Sequence, residues 1–543
     1  MRRIVLRLLR GSLVLACCFA SLAAEGSTNR PNILLIVADD LGFSDVGCYG
    51  GEIHTPHLDR LGYSGLRFTQ FYNTGRCWPT RASLLTGYYA QQVRRDTVPG
   101  VKSGAGGARP PWARLLPEML RPLGYRSYHS GKWHIDGPRL RGGFDRSYSI
   151  EDHDRYFAPR SHSEDDQPLP AVATNEVRYV TTLIADHAIQ CLQDHAAHHA
   201  NRPFFHYLCF TAPHFPLQAP AAEIGRYAQT YAIGWEDVQR RRWRRLAELG
   251  IARHALPAFE TDVGPPYHFP EALLRLGPNE VNRPLPWRDL TPGQREFQAT
   301  KMAIHAAMIE VMDREIGRVL AQVWAMGAGE NTMVVFLSDN GASAEIMVRG
   351  DGHDPAAAPG SAGSFLCLGP GWSTAANTPF RRHKTWVHEG GIATPFIVHW
   401  PNGIAGQGEL RHAPAHVIDF VPTILEVVGA PSSQSPPANG APPLPGRSLL
   451  PALRGDVPIE RDSLWWQHEG NRALRVGDWK IVAAGTNTAW ELYDLATDRG
   501  ETRNLAGEKP EKTAQLAAAW QKQWEEIQRV ARPDPLTNSP PSP

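Results

Sequence analysis

The chain has 543 residues, 42% of them hydrophobic and 9% aromatic, enough for one large core with an appendage. Its 56 lysines and arginines nearly balance 55 acids, a net charge of +1 that excludes the basic profile of a nucleic-acid binder. Of its seven cysteines, Cys48, Cys77, Cys191, Cys209 and Cys367 lie beyond the N-terminal leader, too few and too scattered for a disulfide framework, and no essential disulfide is expected.

Residues 1–10 are basic and residues 11–23 form an apolar run with small residues at Ser21 and Ala23, the pattern of an export signal over 1–23. Arg2 and Arg3 weakly suggest a twin-arginine signal, and Val14-Leu15-Ala16 before Cys17 an imperfect lipoprotein box; both rank behind an ordinary secretory signal. No stretch is long and apolar enough to span a bilayer, so the mature protein is expected to be soluble, periplasmic or secreted, without a transmembrane segment.

Residues 32–38 are a nearly continuous run of Ile, Leu and Val ending in Asp39-Asp40-Leu41-Gly42. A strand apolar on both faces belongs in a sheet covered by helices on both sides, and its C-terminal tip is where open α/β sheets hold ligands. Paired carboxylates there are costly unless solvated or neutralised by a cation; alone, the pair reads best as a helix cap.

Cys77-Trp78-Pro79-Thr80-Arg81 followed by Ala82-Ser83-Leu84-Leu85-Thr86-Gly87 reads as a loop entering a helix, with Cys77 near the positive N-terminal end. A lone cysteine is most often a small buried apolar residue, so the spacing alone leaves its role open.

A strand over 126–129 leads to Lys132 and His134, and an apolar strand over 203–210 leads to His214. Helical spacing over 181–200 and 301–326 completes an alternating β/α pattern. Residues 218–293 form an insertion expected to wall the substrate side, and its cluster Arg240, Arg241, Arg242, Arg244 and Arg245 is expected to be a solvated helix face. A second apolar strand, 332–337, ends in Ser338-Asp339-Asn340-Gly341. Two strand tips carrying three carboxylates and an amide favour a hard divalent cation, Ca²⁺ or Mg²⁺, over caps.

After a Gly/Ala/Pro-rich loop at 350–371, also expected near the mouth, comes Arg381-Arg382-His383-Lys384, then Glu389-Gly390-Gly391 and a strand over 392–399. His129, His206, His383 and His399 read as structural. A linker is expected over 431–460. Short strands and a closing helix then make a subdomain over 461–532, with a frayed tail at 533–543.

The Cys77 segment resembles the signature of the type I, formylglycine-dependent sulfatases, arylsulfatase-like, in which Cys-any-Pro-Ser/Thr-Arg is oxidised after translation at the cysteine. The motifs at Lys132, His134, His214 and Lys384 resemble family segments in the same order, so the likeness covers nearly the whole mature chain. It implies an alkaline-phosphatase-like α/β domain over 30–430, a mostly parallel sheet flanked by helices, with a small antiparallel C-terminal subdomain. It also implies a calcium site at Asp39, Asp40, Asp339 and Asn340 that the modified Cys77 faces. The substrate is then a small-molecule or carbohydrate sulfate ester, and a formylglycine-generating enzyme is a transient partner. One hydroxyl of the hydrated aldehyde would attack sulfur, with Asp339 taking its proton and Arg81 polarising the diol. His214 would protonate the leaving oxygen and His134 would help eject sulfate, while Lys132, His214 and Lys384 bind the sulfuryl group. Two alternatives stand beside this: a phosphonate or phosphate ester hydrolase on the same fold, and a non-catalytic sulfated-glycan-binding protein.

Overall fold

The computed structural model describes residues 30–173, 178–350, 352–430 and 440–532. The expected export signal and C-terminal tail lie outside the described residues.

Eleven strands form the main sheet: β1 (Asn32–Ala38), β2 (Leu66–Tyr72), β3 (Arg126–Gly131), β4 (Arg146–Ile150), β5 (His162–Glu164), β6 (Gln167–Pro168), β7 (Phe204–Cys209), β8 (Thr332–Ser338), β9 (Ala393–His399), β10 (Glu409–Arg411) and β11 (Ala415–His416). β8, β1, β7, β3 and β4 lie side by side and parallel, in that order. β9 runs antiparallel to both β8 and β2, which makes the sheet mixed but mostly parallel. The central position of β1 explains its composition. Leu34, Ile36 and Ala38 face one core and Ile33, Leu35 and Val37 the other, all with no exposed surface, so alternation in polarity is replaced by uniform apolarity.

The helices Val180–His198 and Pro292–Ala325 cover the first face. The second begins at Pro292 rather than at 301, because its first turns are polar and invisible to apolar periodicity. Their start is written instead in a cap: the Thr291 hydroxyl accepts from the Gln294 amide at 3.2 Å and the Gln294 side chain returns the bond to Thr291 at 3.0 Å. The helix Cys77–Thr86 lies on the other face with Leu84 and Leu85 in the core.

The insertion carries the helix Trp235–Glu248, and here one expectation is corrected. Arg240, Arg241, Arg244 and Arg245 are exposed, but Arg242 is fully buried, with guanidinium bonds of 2.7 Å to both Asp45 and Glu52. It lies on the same face as Trp235, Val238 and Leu246. A run of like residues on a helix distributes around all faces, so one of them must point inward and needs buried acids. Within the expected linker, residues 440–460 are not a bare spacer: the helix Leu450–Gly455 buries Leu450, Ala452 and Leu453, the last two in the core beneath the sheet.

A second sheet, β12 (Leu464–His468), β13 (Asn471–Val476), β14 (Trp479–Ala483) and β15 (Glu491–Asp494), is antiparallel and covered by the helix Pro510–Ala531 through Leu516, Trp520 and Ile527. It docks on the main domain through buried charge. Lys480 binds Glu389 at 3.0 Å and Glu501 at 2.8 Å, and Arg499 binds Glu389 at 3.0 Å. Trp466 donates its indole N–H to the Asn73 carbonyl at 2.8 Å, close before Cys77 in the chain.

Candidate active site

The parallel ladder sets the site. The Asp39 amide donates to the Ala212 carbonyl and the Asp339 amide to the Ala38 carbonyl, each at 3.1 Å, so the tips of β1, β7 and β8 end level. Asp40 turns back with a φ of 65°, a conformation short acidic residues tolerate. A ligand atom each of Asp39, Cys77 and Asp339 lies within 4.8 Å of the others, and so does one each of Asp39, Asp40 and His214, a geometry that could hold a metal ion. Asn340 donates Nδ2 to Asp40 at 2.6 Å, while its carbonyl oxygen Oδ1 and Asp39 Oδ1 are buried without a protein partner.

Glycine draws the Lys384 loop to this edge. A Cβ on Gly341 would meet the Gly390 carbonyl oxygen at 1.9 Å, so only glycine lets the two turns touch. The Lys384 amide then donates to the Ala342 carbonyl at 3.1 Å.

Cys77 is the first residue of its helix, and the Thr80 hydroxyl braces the entering loop, accepting from the Thr74 amide at 3.1 Å and bonding the Thr74 hydroxyl at 2.7 Å. Burial raises the thiol pKa, with Lys132 and Lys384 pulling against it and Asp339 and Asp39 adding to it. A thiolate nucleophile is thus disfavoured.

The cations pair with the acids one by one. Lys132 binds Asp39 at 2.5 Å, Arg81 binds Asp339 at 2.8 Å, and Lys384 binds Asp40 at 2.9 Å and Glu345 at 3.2 Å. Arg81 also donates to the Lys132 carbonyl at 3.0 Å, coupling the Cys77 helix to β3. Burial opposes ionisation of Asp39, yet Lys132, His214 and Arg81 hold it well below the usual range. Asp339 behaves oppositely: burial and the neighbouring Asp39 charge push it up to about 7.

His134 and His214 are both held neutral by burial, His214 at about 4. His214 Nδ1 lies 2.6 Å from the Phe215 carbonyl, which assigns the proton there and leaves Nε2, 3.8 Å from Asp40, facing the site. His134 has a φ of 55° and a buried Nδ1 with no protein partner.

All ten residues singled out in the sequence converge on this edge. Three more belong with them. Glu345 joins Lys384 to Arg76, which it binds at 3.1 Å, and the two cations override burial to keep it ionised. Arg76 flanks Cys77 and lies against the rings of Trp78 and Tyr267, the latter from the insertion. His153 stands beside His134, ring centroids 5.5 Å apart. Arg76 was findable as a second arginine next to the cysteine; Glu345 and His153 carry no local signal.

A family model described as Sulfatase matches residues 31–430, and one described as N-sulphoglucosamine sulphohydrolase, C-terminal, matches 382–530. The chain belongs to the sulfatase family. It is similar to the uncharacterized sulfatase PB10D8.02c of Schizosaccharomyces pombe, 32% identical with 94% of this chain and 96% of that one covered. It is also 32% identical to an arylsulfatase of Klebsiella aerogenes, over 79% of this chain and 93% of the relative. Among solved structures, Ps i-CgsB in complex with k-i-k-neocarrahexaose shares the fold with a TM-score of 0.63 at 22% identity, covering 91% and 93% of the two chains. This sulfatase is therefore a sulfuric ester hydrolase, and the reading as a non-catalytic binding protein falls away. Among its described residues no helix is long and apolar enough to cross a membrane.

Proposed function

We propose that this sulfatase cleaves aryl or carbohydrate sulfates through a formylglycine made from Cys77, with Ca²⁺ held by Asp39, Asp40, Asp339 and Asn340. The observation that carries the reading is the buried thiol at the junction of two acidic strand tips and two lysines, a place where its own thiolate is disfavoured and a sulfuryl group finds cations. The donor set fits the ion: three carboxylates and an amide oxygen are hard ligands, and Asp39 Oδ1 and Asn340 Oδ1 are buried with nothing else to satisfy them. Bound there, the ion supplies positive charge that acidifies and polarises the oxygens around it. The oxidised residue supplies a hydrated aldehyde, whose second hydroxyl offers a way to release sulfate that a thiol lacks.

The protein's own groups then divide the work. Lys132, balancing Asp39, and Lys384, balancing Asp40 and Glu345, orient the sulfuryl oxygens and hold their growing charge. Arg81 keeps Asp339 aligned beside residue 77 so that this carboxylate can take a proton. His214 turns Nε2 toward the site and would act as acid from its doubly protonated form, which burial disfavours and the charge of Asp40 supports. His134, neutral and with an unpartnered Nδ1, is set to accept a proton during sulfate release.

Cys77 is only 3% exposed, so its conversion must precede folding, which fits a transient encounter with a formylglycine-generating enzyme on an exported chain. The test is mass spectrometry of the residue-77 peptide beside turnover of 4-nitrophenyl sulfate, 4-nitrophenyl phosphate, a phosphonate ester and a panel of sulfated sugars. A peptide about 18 Da lighter than the cysteine form, tracking sulfate turnover across preparations, is expected. Full activity from unmodified Cys77, or turnover of the phosphorus esters above every sulfate, would overturn the reading.

A further inference from the structure

We infer that Asn471, on the C-terminal subdomain, is a positioning residue for sulfate-ester cleavage: it fixes the Lys384 ammonium by holding the strained peptide that follows Lys384. The inference rests on the assignment of Lys384 as a sulfuryl-binding cation. Thr385 has a φ of 86°. A β-branched residue stays in that left-handed region only when its surroundings over-determine it.

Three hydrogen bonds do so, one from each polar group of the residue. The Thr385 amide donates to the Gly75 carbonyl at 2.8 Å, and its hydroxyl accepts from the Arg76 guanidinium at 2.7 Å. Its carbonyl accepts from Asn471 Nδ2 at 3.1 Å. The first two bonds come from the pair of residues directly before Cys77. The third crosses from Asn471 at the start of β13, and it ties the strained peptide to the C-terminal subdomain.

Asn471 is itself rigidly held. It is buried, its Nδ2 also donates to the His468 carbonyl at 3.1 Å, and its Oδ1 accepts from the Gly485 amide at 3.1 Å. Lys480 and Arg499 of the same subdomain hold Glu389, further along the chain from Lys384. Lys384 therefore leaves a backbone pinned on one side by its own amide on Ala342 and on the other by Thr385. Its stem is long and flexible, so where the ammonium comes to rest between Asp40 and Glu345 depends on the direction in which that backbone launches it. Removing the Asn471 donor lets Thr385 relax to negative φ and turns the launch direction. Misplacing a binding group by about 1 Å costs roughly 10²-fold in rate. Asn471 acts through Lys384 and needs no contact with substrate.

The experiment is a double-mutant cycle on the metal-loaded, fully modified enzyme with 4-nitrophenyl sulfate. Asn471→Asp keeps the size and the acceptor for Gly485 and replaces only the donor; Asn471→Ala is the second variant. Either is expected to lower kcat/KM by about 10²-fold in a protein that still folds, and to add less than about threefold when Lys384 is already Met. A loss equally large in both backgrounds, wild-type kcat/KM in the single variants, or failure of both variants to fold would overturn the positioning role. Lys384→Met alone tests the underlying assignment. If that variant turns over like wild type, Lys384 does not bind the sulfuryl group, and the fault lies in the proposed chemistry rather than in Asn471.

Discussion

His206, in the middle of β7, makes the acid sensitivity of the fold calculable. Its Nε2 meets the Ser130 hydroxyl at 3.0 Å, and the same hydroxyl meets His187 Nδ1 at 2.7 Å. His195 completes the cluster through the Tyr128 hydroxyl at 2.8 Å. Burial, with smaller repulsion from His187 and His195, drives the His206 pKa down to about 3; burial likewise lowers His187 and His195 to about 4. A histidine depressed in the folded state stays neutral there while the unfolded chain takes up a proton below about pH 6.5. Its contribution to stability is therefore complete above pH 6.5 and is lost progressively as the pH falls toward 3. For His206 the loss at pH 5 is about 2 kcal/mol, since 1.5 units separate that pH from 6.5 at 1.36 kcal/mol each. His206→Gln cannot titrate but can still bond Ser130. Urea unfolding followed by tryptophan fluorescence at pH 7.5 and pH 5 gives the difference for each protein. Whatever the variant costs at pH 7.5, its loss on going to pH 5 is expected to be smaller than that of wild type by about 2 kcal/mol. An equal loss in both proteins would refute the argument.

Asp39→Ala or Asp339→Ala should lose bound divalent ion and activity together, and exhaustive chelation should do the same to wild type; turnover surviving a metal content of zero would show the four ligands to be misassigned. His214→Ala should hurt poor leaving groups such as sugar alcohols far more than nitrophenol, by about 10²–10⁴-fold. His134→Ala should instead give a burst of phenol and then stall with added mass on the residue-77 peptide; identical leaving-group dependence in the two variants, with no added mass, would mean the roles are wrong. Arg242→Ala should destabilise the protein by about 3–5 kcal/mol in urea unfolding by stranding Asp45 and Glu52, whereas Arg241→Ala, on the exposed face, should change it by less than about 0.5 kcal/mol.

The sequence by itself determined the strands that carry the chemistry and the residues at their tips. Uniform apolarity leaves β1 and β8 no place but the centre of a doubly covered sheet, and the short C-terminal strands stand out between their turns because alternation and turn chemistry are local properties. The signature around Cys77 is local too, which is why Arg81 and Thr80 were legible with it. What only the tertiary structure decided are the relations between segments. Glu345 lies in an irregular loop, and nothing in its own neighbourhood says that it joins Lys384 to Arg76. Arg242 is indistinguishable in sequence from the exposed arginines beside it until Asp45 and Glu52, some 190 residues away, define which helix face is inside. Thr385 shows no trace in sequence of its left-handed backbone, because that conformation is imposed by Gly75, Arg76 and Asn471 from two other parts of the chain. Local spacing encodes which side chains an element presents; partners supplied by distant segments decide what charge each of them meets, and so whether a given lysine, arginine or histidine is surface, support or catalyst.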